Sequence, residues 1–177
     1  MSFATARKGL IAPLPNNGIV LDKNENVTWD LKEFGDFIID NKKSPNSVNP
    51  SLWRQSQLLM VSGLFEVVPG VYQVRGADLS NKIIIEDDKG IIIYVPLITT
   101  EYSKYALDLY YIHRPKKPVD DVVYSHSHID HFASIRGVVS QKDIDKGSVK
   151  IYTPEGLLDH AIQENVLAGT VMSRRAS

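Results

Sequence analysis

Residues 125–131 read Ser-His-Ser-His-Ile-Asp-His and follow a short apolar run, Val122-Val123-Tyr124. The chain has five histidines, and three of them fall in this stretch. His126 and His128 are two positions apart at the end of an extended segment, so their side chains project to one face. The spacing therefore predicts that these two imidazoles share one metal ion.

The second half of the same motif predicts two further ligands. Asp130 and His131 come where the backbone is expected to turn into a helix containing Phe132 and Ile135, which would aim both ligands at a second ion. Imidazole nitrogen and carboxylate oxygen suit zinc, with iron and manganese as alternatives. Asp130 is also the candidate catalytic residue, because its carboxylate can steer the attacking water. A plain polar turn is the other interpretation, but it would leave several unpaired polar groups at a buried strand end.

The composition indicates a globular chain without thiolate chemistry. At 177 residues the chain is one domain or part of a larger one, and 43% hydrophobic residues are enough for a core. Lys and Arg number 20 against 21 Asp and Glu, so no net positive charge points to nucleic acid or to an anionic membrane. The absence of cysteine excludes disulfides, thiolate zinc sites and a cysteine nucleophile.

No segment has the length of a membrane span. The longest apolar run covers residues 90–99, contains Pro96 and is too short to cross a bilayer as a helix. The first residues lack the longer apolar stretch of a secretory signal. We therefore expect no membrane span and a cytoplasmic location.

The chain changes in character near residue 60. Residues 1–60 mix prolines with Asn and Gly and show helical spacing only over residues 30–40, which predicts an N-terminal arm with one short helix. Residues 61–177 contain the regular hydrophobic patterns and the histidine motif. We expect this second part to hold the site.

Two hairpin patterns open the second part of the chain. Strands are predicted on either side of Pro69-Gly70 and on either side of the turn at residues 87–90, and the isoleucines of the second hairpin predict burial on both faces. The later elements follow from helical or extended spacing: helix 101–113, strand 119–125, strand 149–152 and helix 154–168. Two hairpins followed by alternating helices and strands predict an α/β layered domain.

The motif H-x-H-x-D-H, here residues 126–131, resembles the signature of the metallo-β-lactamase superfamily. Four longer blocks are similar to the zinc-dependent alkyl sulfatases of that superfamily: 51–55, 63–81, 126–139 and 154–176. The match corresponds to the N-terminal part of those proteins. The resemblance implies an α/β fold of metallo-β-lactamase type, an αββα sandwich of which this chain forms the first half only. Residues 61–177 would then be the N-terminal portion of the catalytic domain.

The resemblance also implies a reaction and its cofactor. It implies hydrolysis of alkyl sulfate esters to alcohol and sulfate at two zinc ions, with His126 and His128 on the first ion and Asp130 and His131 on the second. The expected partner is a small-molecule alkyl sulfate, and a homodimer is an open alternative for the assembly. The competing hypotheses are a catalytically inactive fragment, another two-metal hydrolase acting on a phosphoester, lactone or thioester, and a binding module without catalysis.

Three departures from the family pattern stand out. Val95 precedes Pro96-Leu97 where the family usually has an aspartate, and Ala133 and Ser134 stand where it usually has two glycines. The family's remaining ligands, two carboxylates and a histidine, lie beyond the point that matches Ser177. The motif of this chain therefore supplies two ligands to each predicted ion.

His160 and Glu164 are four positions apart on the last predicted helix, so they could face one metal ion. The resemblance assigns neither of them a ligand role. We therefore interpret them as an exposed or helix-supporting pair.

Overall fold

The computed structural model describes residues 2–38, 42–169, 171 and 174. The strands are β1 Leu10–Ala12, β2 Ile19–Leu21, β3 Val27–Asp30, β4 Gly63–Val68, β5 Val71–Arg75, β6 Lys82–Glu86, β7 Ile91–Tyr94, β8 Val119–Val123 and β9 Lys150–Tyr152. The α-helices are α1 Phe3–Ala6, α2 Leu31–Phe37, α3 Pro50–Leu59, α4 Thr100–His113, α5 Gln141–Asp145 and α6 Leu157–Ile162. Shorter helical turns are the 3-10 turns Pro15–Gly18, Ile129–His131 and Ile135–Gly137 and the π-helical turn Gln163–Leu167.

Seven strands in the described part form one mixed sheet in the order β1-β4-β5-β6-β7-β8-β9, and β2 pairs separately with β3. Neighbouring strands are antiparallel from β1 to β7, whereas β7, β8 and β9 run parallel. Parallel neighbours need a crossover connection, which α4 supplies between β7 and β8. Every strand predicted from the sequence is present, and the α/β fold is confirmed.

The core lies between the sheet and α4. Ala106 and Tyr110 of α4 are fully buried, and the Tyr110 ring packs edge-on against Tyr72 with 5.4 Å between the ring centroids. The predicted burial of the second hairpin on both faces is wrong, because Ile84 is fully buried whereas Ile85 is 38% exposed. This alternation has the period of two that a sheet shows when one face is covered.

The N-terminal arm holds more regular structure than the sequence predicted. One short helix was expected in residues 1–60, and this is wrong because α1, α2 and α3 all lie there, together with β1 to β3. The missed helix α3 has a clear start signal: the Asn49 side chain accepts hydrogen bonds from the N–H groups of Ser51 and Leu52. The helix predicted over residues 30–40 is α2, and its last two positions lie outside the described residues. The boundary near residue 60 stays a prediction.

The last predicted helix begins later and changes type. The sequence predicts a helix over residues 154–168, but α6 begins at Leu157 after Gly156, which has a φ of 73°. A left-handed residue interrupts helical hydrogen bonding, so the preceding residues form a turn. Within the described part of the chain, no helix is long and apolar enough to cross a membrane.

Candidate metal centre

The histidine motif starts where the parallel strand β8 ends. The N–H of Tyr124, directly after β8, donates to the carbonyl of Tyr152, the last residue of β9, at 2.9 Å. On the other side, the N–H of Val95, directly after β7, donates to the Val123 carbonyl of β8 at 3.1 Å. These two hydrogen bonds join the end of β8 to the ends of its neighbours β7 and β9. The first residue of the motif, Ser125, therefore follows the carboxyl end of β8 at a fixed position.

The backbone after β8 does not form the predicted helix. Ile129–His131 is a single 3-10 turn, and Phe132 leaves it with a φ of −144°. The Ser134 N–H then donates to the Leu97 carbonyl at 3.2 Å instead of to its own turn, and the chain enters the second turn, Ile135–Gly137. Tertiary pairing with the segment after β7 therefore replaces helical hydrogen bonding here.

The rings of His128 and His131 both lie beside the ring of His126. The ring centroid of His126 lies 4.5 Å from that of His128 and 4.0 Å from that of His131. The Ser125 hydroxyl sits between two of them, 3.0 Å from His126 Nδ1 and 2.8 Å from His131 Nδ1. A hydroxyl has one hydrogen, so Ser125 donates to one of these rings at most and accepts from the other. Ser125 thus links the two rings by hydrogen bonds at their Nδ1 atoms.

Asp130 and His131 share a hydroxyl partner from a distant loop. Ser80, between β5 and β6, donates to Asp130 Oδ2, and its oxygen lies 3.0 Å from His131 Nε2. Asp130 Oδ2 itself is 3.3 Å from His131 Nε2. Burial lowers the pKa of His131, and the neighbouring carboxylate of Asp130 opposes this shift. Ser80 was missed because its partners lie fifty positions away, although it belongs to a block that resembles the family.

Asp78 fixes the loop that carries Ser80. Its carboxylate accepts hydrogen bonds from the N–H of Leu79 at 2.6 Å and from the N–H of Ile98 at 2.7 Å. Burial raises the pKa of Asp78 to about 6, and these two N–H groups oppose the shift. The loop after β5 and the segment after β7 are thus joined beneath the motif.

The departures from the family pattern lie in this same region. Val95 and Leu97 have positive φ angles, 62° and 86°, which β-branched and bulky residues rarely adopt. Ser134 is fully buried, and its hydroxyl donates to the Pro96 carbonyl. The serine that replaces a family glycine therefore has a bonding role of its own.

An open cavity of about 550 Å³ lies beside the motif. Its wall includes Ser80, His126, Asp130 and His131. A small polar molecule that enters the cavity would therefore meet both halves of the motif.

Glu164 also contacts the motif, although the sequence interpretation left it outside the site. The Ser127 hydroxyl lies 3.0 Å from each of the two carboxylate oxygens of Glu164. Oε2 of the same carboxylate is 3.9 Å from His128 Nε2. The spacing of His160 and Glu164 was the available signal, and Glu164 is the member of that pair that contacts the motif.

Comparison with known proteins identifies the family. The sequence profile of the metallo-beta-lactamase superfamily matches residues 75–175, which is more than half of the chain. This chain belongs to the metallo-beta-lactamase superfamily. The superfamily is metal-dependent, so a metal is implied for this member.

The relatives of this superfamily member are alkylsulfatases. It is 57% identical over 176 residues to a linear primary-alkylsulfatase of Pseudomonas sp., covering 99% of this chain and 26% of the relative. It is 43% identical over 174 residues to an alkyl/aryl-sulfatase of Saccharomyces cerevisiae, covering 98% and 26%. The structure matches that of the inverting sec-alkylsulfatase Pisa1 from Pseudomonas sp. with a TM-score of 0.89 and 49% identity, covering 98% of this chain and 27% of Pisa1. The chain thus spans about a quarter of the length of these relatives.

The side chains of the motif are of the types that bind zinc, but each predicted ion has fewer of them than a catalytic zinc needs. Imidazole and carboxylate groups are zinc ligands, and the ring centroids of His128 and His131 each lie within 4.5 Å of that of His126. Among residues 2–38, 42–169, 171 and 174, no three His, Asp or Glu side chains are arranged to hold one ion. A catalytic zinc takes three protein ligands, so two per ion leave each predicted site one ligand short.

Proposed function

We propose that this chain carries one half of the metal centre of an alkyl sulfatase. In this proposal His126 and His128 hold one zinc ion, and Asp130 and His131 hold the second. The observation that carries the proposal is the meeting of the three histidine rings at the end of β8, in a chain whose relatives are alkylsulfatases. Iron and manganese use the same donor types and are the alternatives for the metal.

The chemistry divides between the metal and the residues around it. Held by these residues, two metal ions would supply Lewis-acid chemistry, which would lower the pKa of a water molecule and offset charge on the sulfate oxygens. Asp130 steers that water, and Ser80 holds the Asp130 carboxylate by a hydrogen bond. Ser125 orients the rings of His126 and His131 through their Nδ1 atoms. Nε2 is therefore the nitrogen of each ring that would bind a metal.

The proposed substrate is a small alkyl sulfate ester. The cavity beside Asp130 and His131 admits a sulfate-sized head group. A homodimeric assembly and a cytoplasmic location belong to the same proposal. The alternatives are an inactive fragment, which cleaves no ester, and a two-metal hydrolase that acts on a phosphoester, lactone or thioester instead of an alkyl sulfate.

The chain alone is expected to lack enzymatic turnover, because two ligands per ion hold a metal loosely. A site displaced by about an ångström can lose orders of magnitude in rate. The test measures sulfate release from dodecyl sulfate, with zinc supplied, by this chain and by a chimera that continues into the linear primary-alkylsulfatase relative. A phosphoester and a lactone are assayed in parallel.

Zinc-dependent sulfate release by the chimera, lost in Asp130→Ala and kept in the control His113→Ala, is the expected result. His113 is an exposed histidine at the end of α4. A chimera that cleaves the phosphoester or lactone but no alkyl sulfate would replace the substrate class. A chimera whose turnover survives Asp130→Ala would remove the role of Asp130.

A further inference from the structure

The π-helical turn Gln163–Leu167 grips the middle of the histidine motif. Glu164 accepts the Ser127 hydroxyl on its carboxylate, and the Asn165 side-chain amide donates to the Ser127 carbonyl at 3.4 Å. Ser127 lies between the two proposed ligands His126 and His128. Consecutive residues of the turn therefore hold both the side chain and the backbone of the residue between the ligands.

The π-helical form of residues 163–167 is a second indication that this turn has a specific role. Within the turn the Ala168 N–H donates to the Gln163 carbonyl at 2.9 Å, which is the i to i+5 bond of a π-helix. Such turns are rare and occur often at functional sites. Here the wider turn coincides with the two residues that reach Ser127. The hydrogen bonds to Ser127 offset the less favourable geometry of the π-helix.

The carboxylate of Glu164 also lies on one side of the His128 ring. The 3.9 Å between its Oε2 and His128 Nε2 exceeds a hydrogen bond and is within ion-pair distance. The carboxylate that holds Ser127 therefore also contacts the ring of His128.

We propose that Glu164 is a positioning residue for His128. Its carboxylate accepts the hydroxyl of Ser127, the residue directly before His128, and lies 3.9 Å from the His128 ring, so it sets where that ring lies. The inference rests on the proposed function, in which His128 is a metal ligand. Residues that orient a ligand in this way typically contribute about 10- to 100-fold to metal affinity.

The test compares four forms of the 177-residue chain: wild type, Glu164→Ala, Glu164→Gln and Asp159→Asn. Glutamine keeps an acceptor for Ser127 without the charge, and Asp159→Asn removes a negative charge from an exposed position on the preceding helix, α6. Zinc affinity is measured by competition with a chromogenic chelator. We expect about 10-fold weaker binding in Glu164→Ala, a smaller loss in Glu164→Gln and no change in Asp159→Asn.

A second readout needs no metal and separates positioning from general stability. Ring ¹⁵N resonances of the histidines are recorded in the metal-free variants, together with their melting temperatures. Resonances of His128 should move in both Glu164 variants while those of His113 stay in place, at an unchanged melting temperature for Glu164→Gln.

Equal zinc affinity in wild type and both Glu164 variants would overturn the inference while leaving the proposed function intact. A wild-type chain that takes up no zinc would count against the proposed function, and the ring resonances then decide. A His128 that responds to Glu164 keeps the positioning role, and a His128 that does not respond removes it.

Discussion

Replacing Gly137 by alanine should destabilise the protein, because this glycine lies against the backbone of α4. A Cβ atom at position 137 would overlap the Thr100 carbonyl oxygen and lie 2.6 Å from Ser103 Cβ and 3.0 Å from the Lys104 nitrogen. Two of these three contacts are with main-chain atoms, which cannot rotate away. The turn that carries the chain away from the motif would have to separate from α4.

The expected cost follows from this overlap. Overpacking of a well-packed site costs about 1–3 kcal/mol, and rigid main-chain neighbours place Gly137→Ala at the upper end, about 2–3 kcal/mol. For a chain of this size each kcal/mol shifts the melting temperature by about 2–4 °C, so a fall of about 4–12 °C is expected. The assay is thermal unfolding followed by circular dichroism.

Gly35→Ala is the matched control. Gly35 lies inside α2, where, among the described residues, an added Cβ would have Met60 Cε as its one neighbour within 4 Å, at 3.5 Å, an ordinary contact. Alanine is the better helix former, so this variant should gain about 0.5–1 kcal/mol. A Gly137→Ala melting temperature equal to or above that of wild type would refute the packing of this turn on α4.

Three further outcomes are expected. Ser134→Ala should cost about 1–3 kcal/mol in urea unfolding, because it leaves the Pro96 carbonyl without its buried donor. Since the pKa of Asp78 is raised to about 6 in the folded chain, this group stabilises the fold as pH falls; between pH 7 and pH 5 wild type should gain about 1 kcal/mol relative to Asp78→Asn, and a flat difference would contradict this. Zinc uptake measured by equilibrium dialysis should weaken below about pH 6, since ligating imidazoles must be neutral and their ordinary pKa is near 6.5.

The sheet and the motif could be predicted from the sequence because their signals are local. Turns such as Pro69-Gly70 separate runs of β-branched residues, and α4 has both its apolar stripe and the Thr99 cap, whose side chain accepts from the Tyr102 N–H. The clustering of His126, His128 and His131 follows from their closeness in the chain. In each case the residues that interact are neighbours in sequence.

Apart from α3, whose Asn49 cap is a local signal, the missed features depend on partners that are distant in the chain. Strand β1 is three residues long, and only its pairing with β4 makes it a strand. Ser80 lies in the loop between β5 and β6, whereas Asp130, which accepts its hydrogen bond, follows β8. No sequence pattern around Ser80 predicts that contact. Glu164 sits on a π-helical turn, which has no sequence signature of its own and is explained here by the contact with Ser127. Tertiary contact decides the local structure at these places.

The most direct measurement of the proposed metal centre is the zinc content of the purified chain after dialysis against zinc. Elemental analysis compares wild type with the double variant His126→Ala plus His128→Ala and with the control His113→Ala. Zinc bound by wild type and His113→Ala, with most of it lost in the double variant, is the predicted result. Equal zinc content in all three proteins would contradict the assignment of the motif as the metal site.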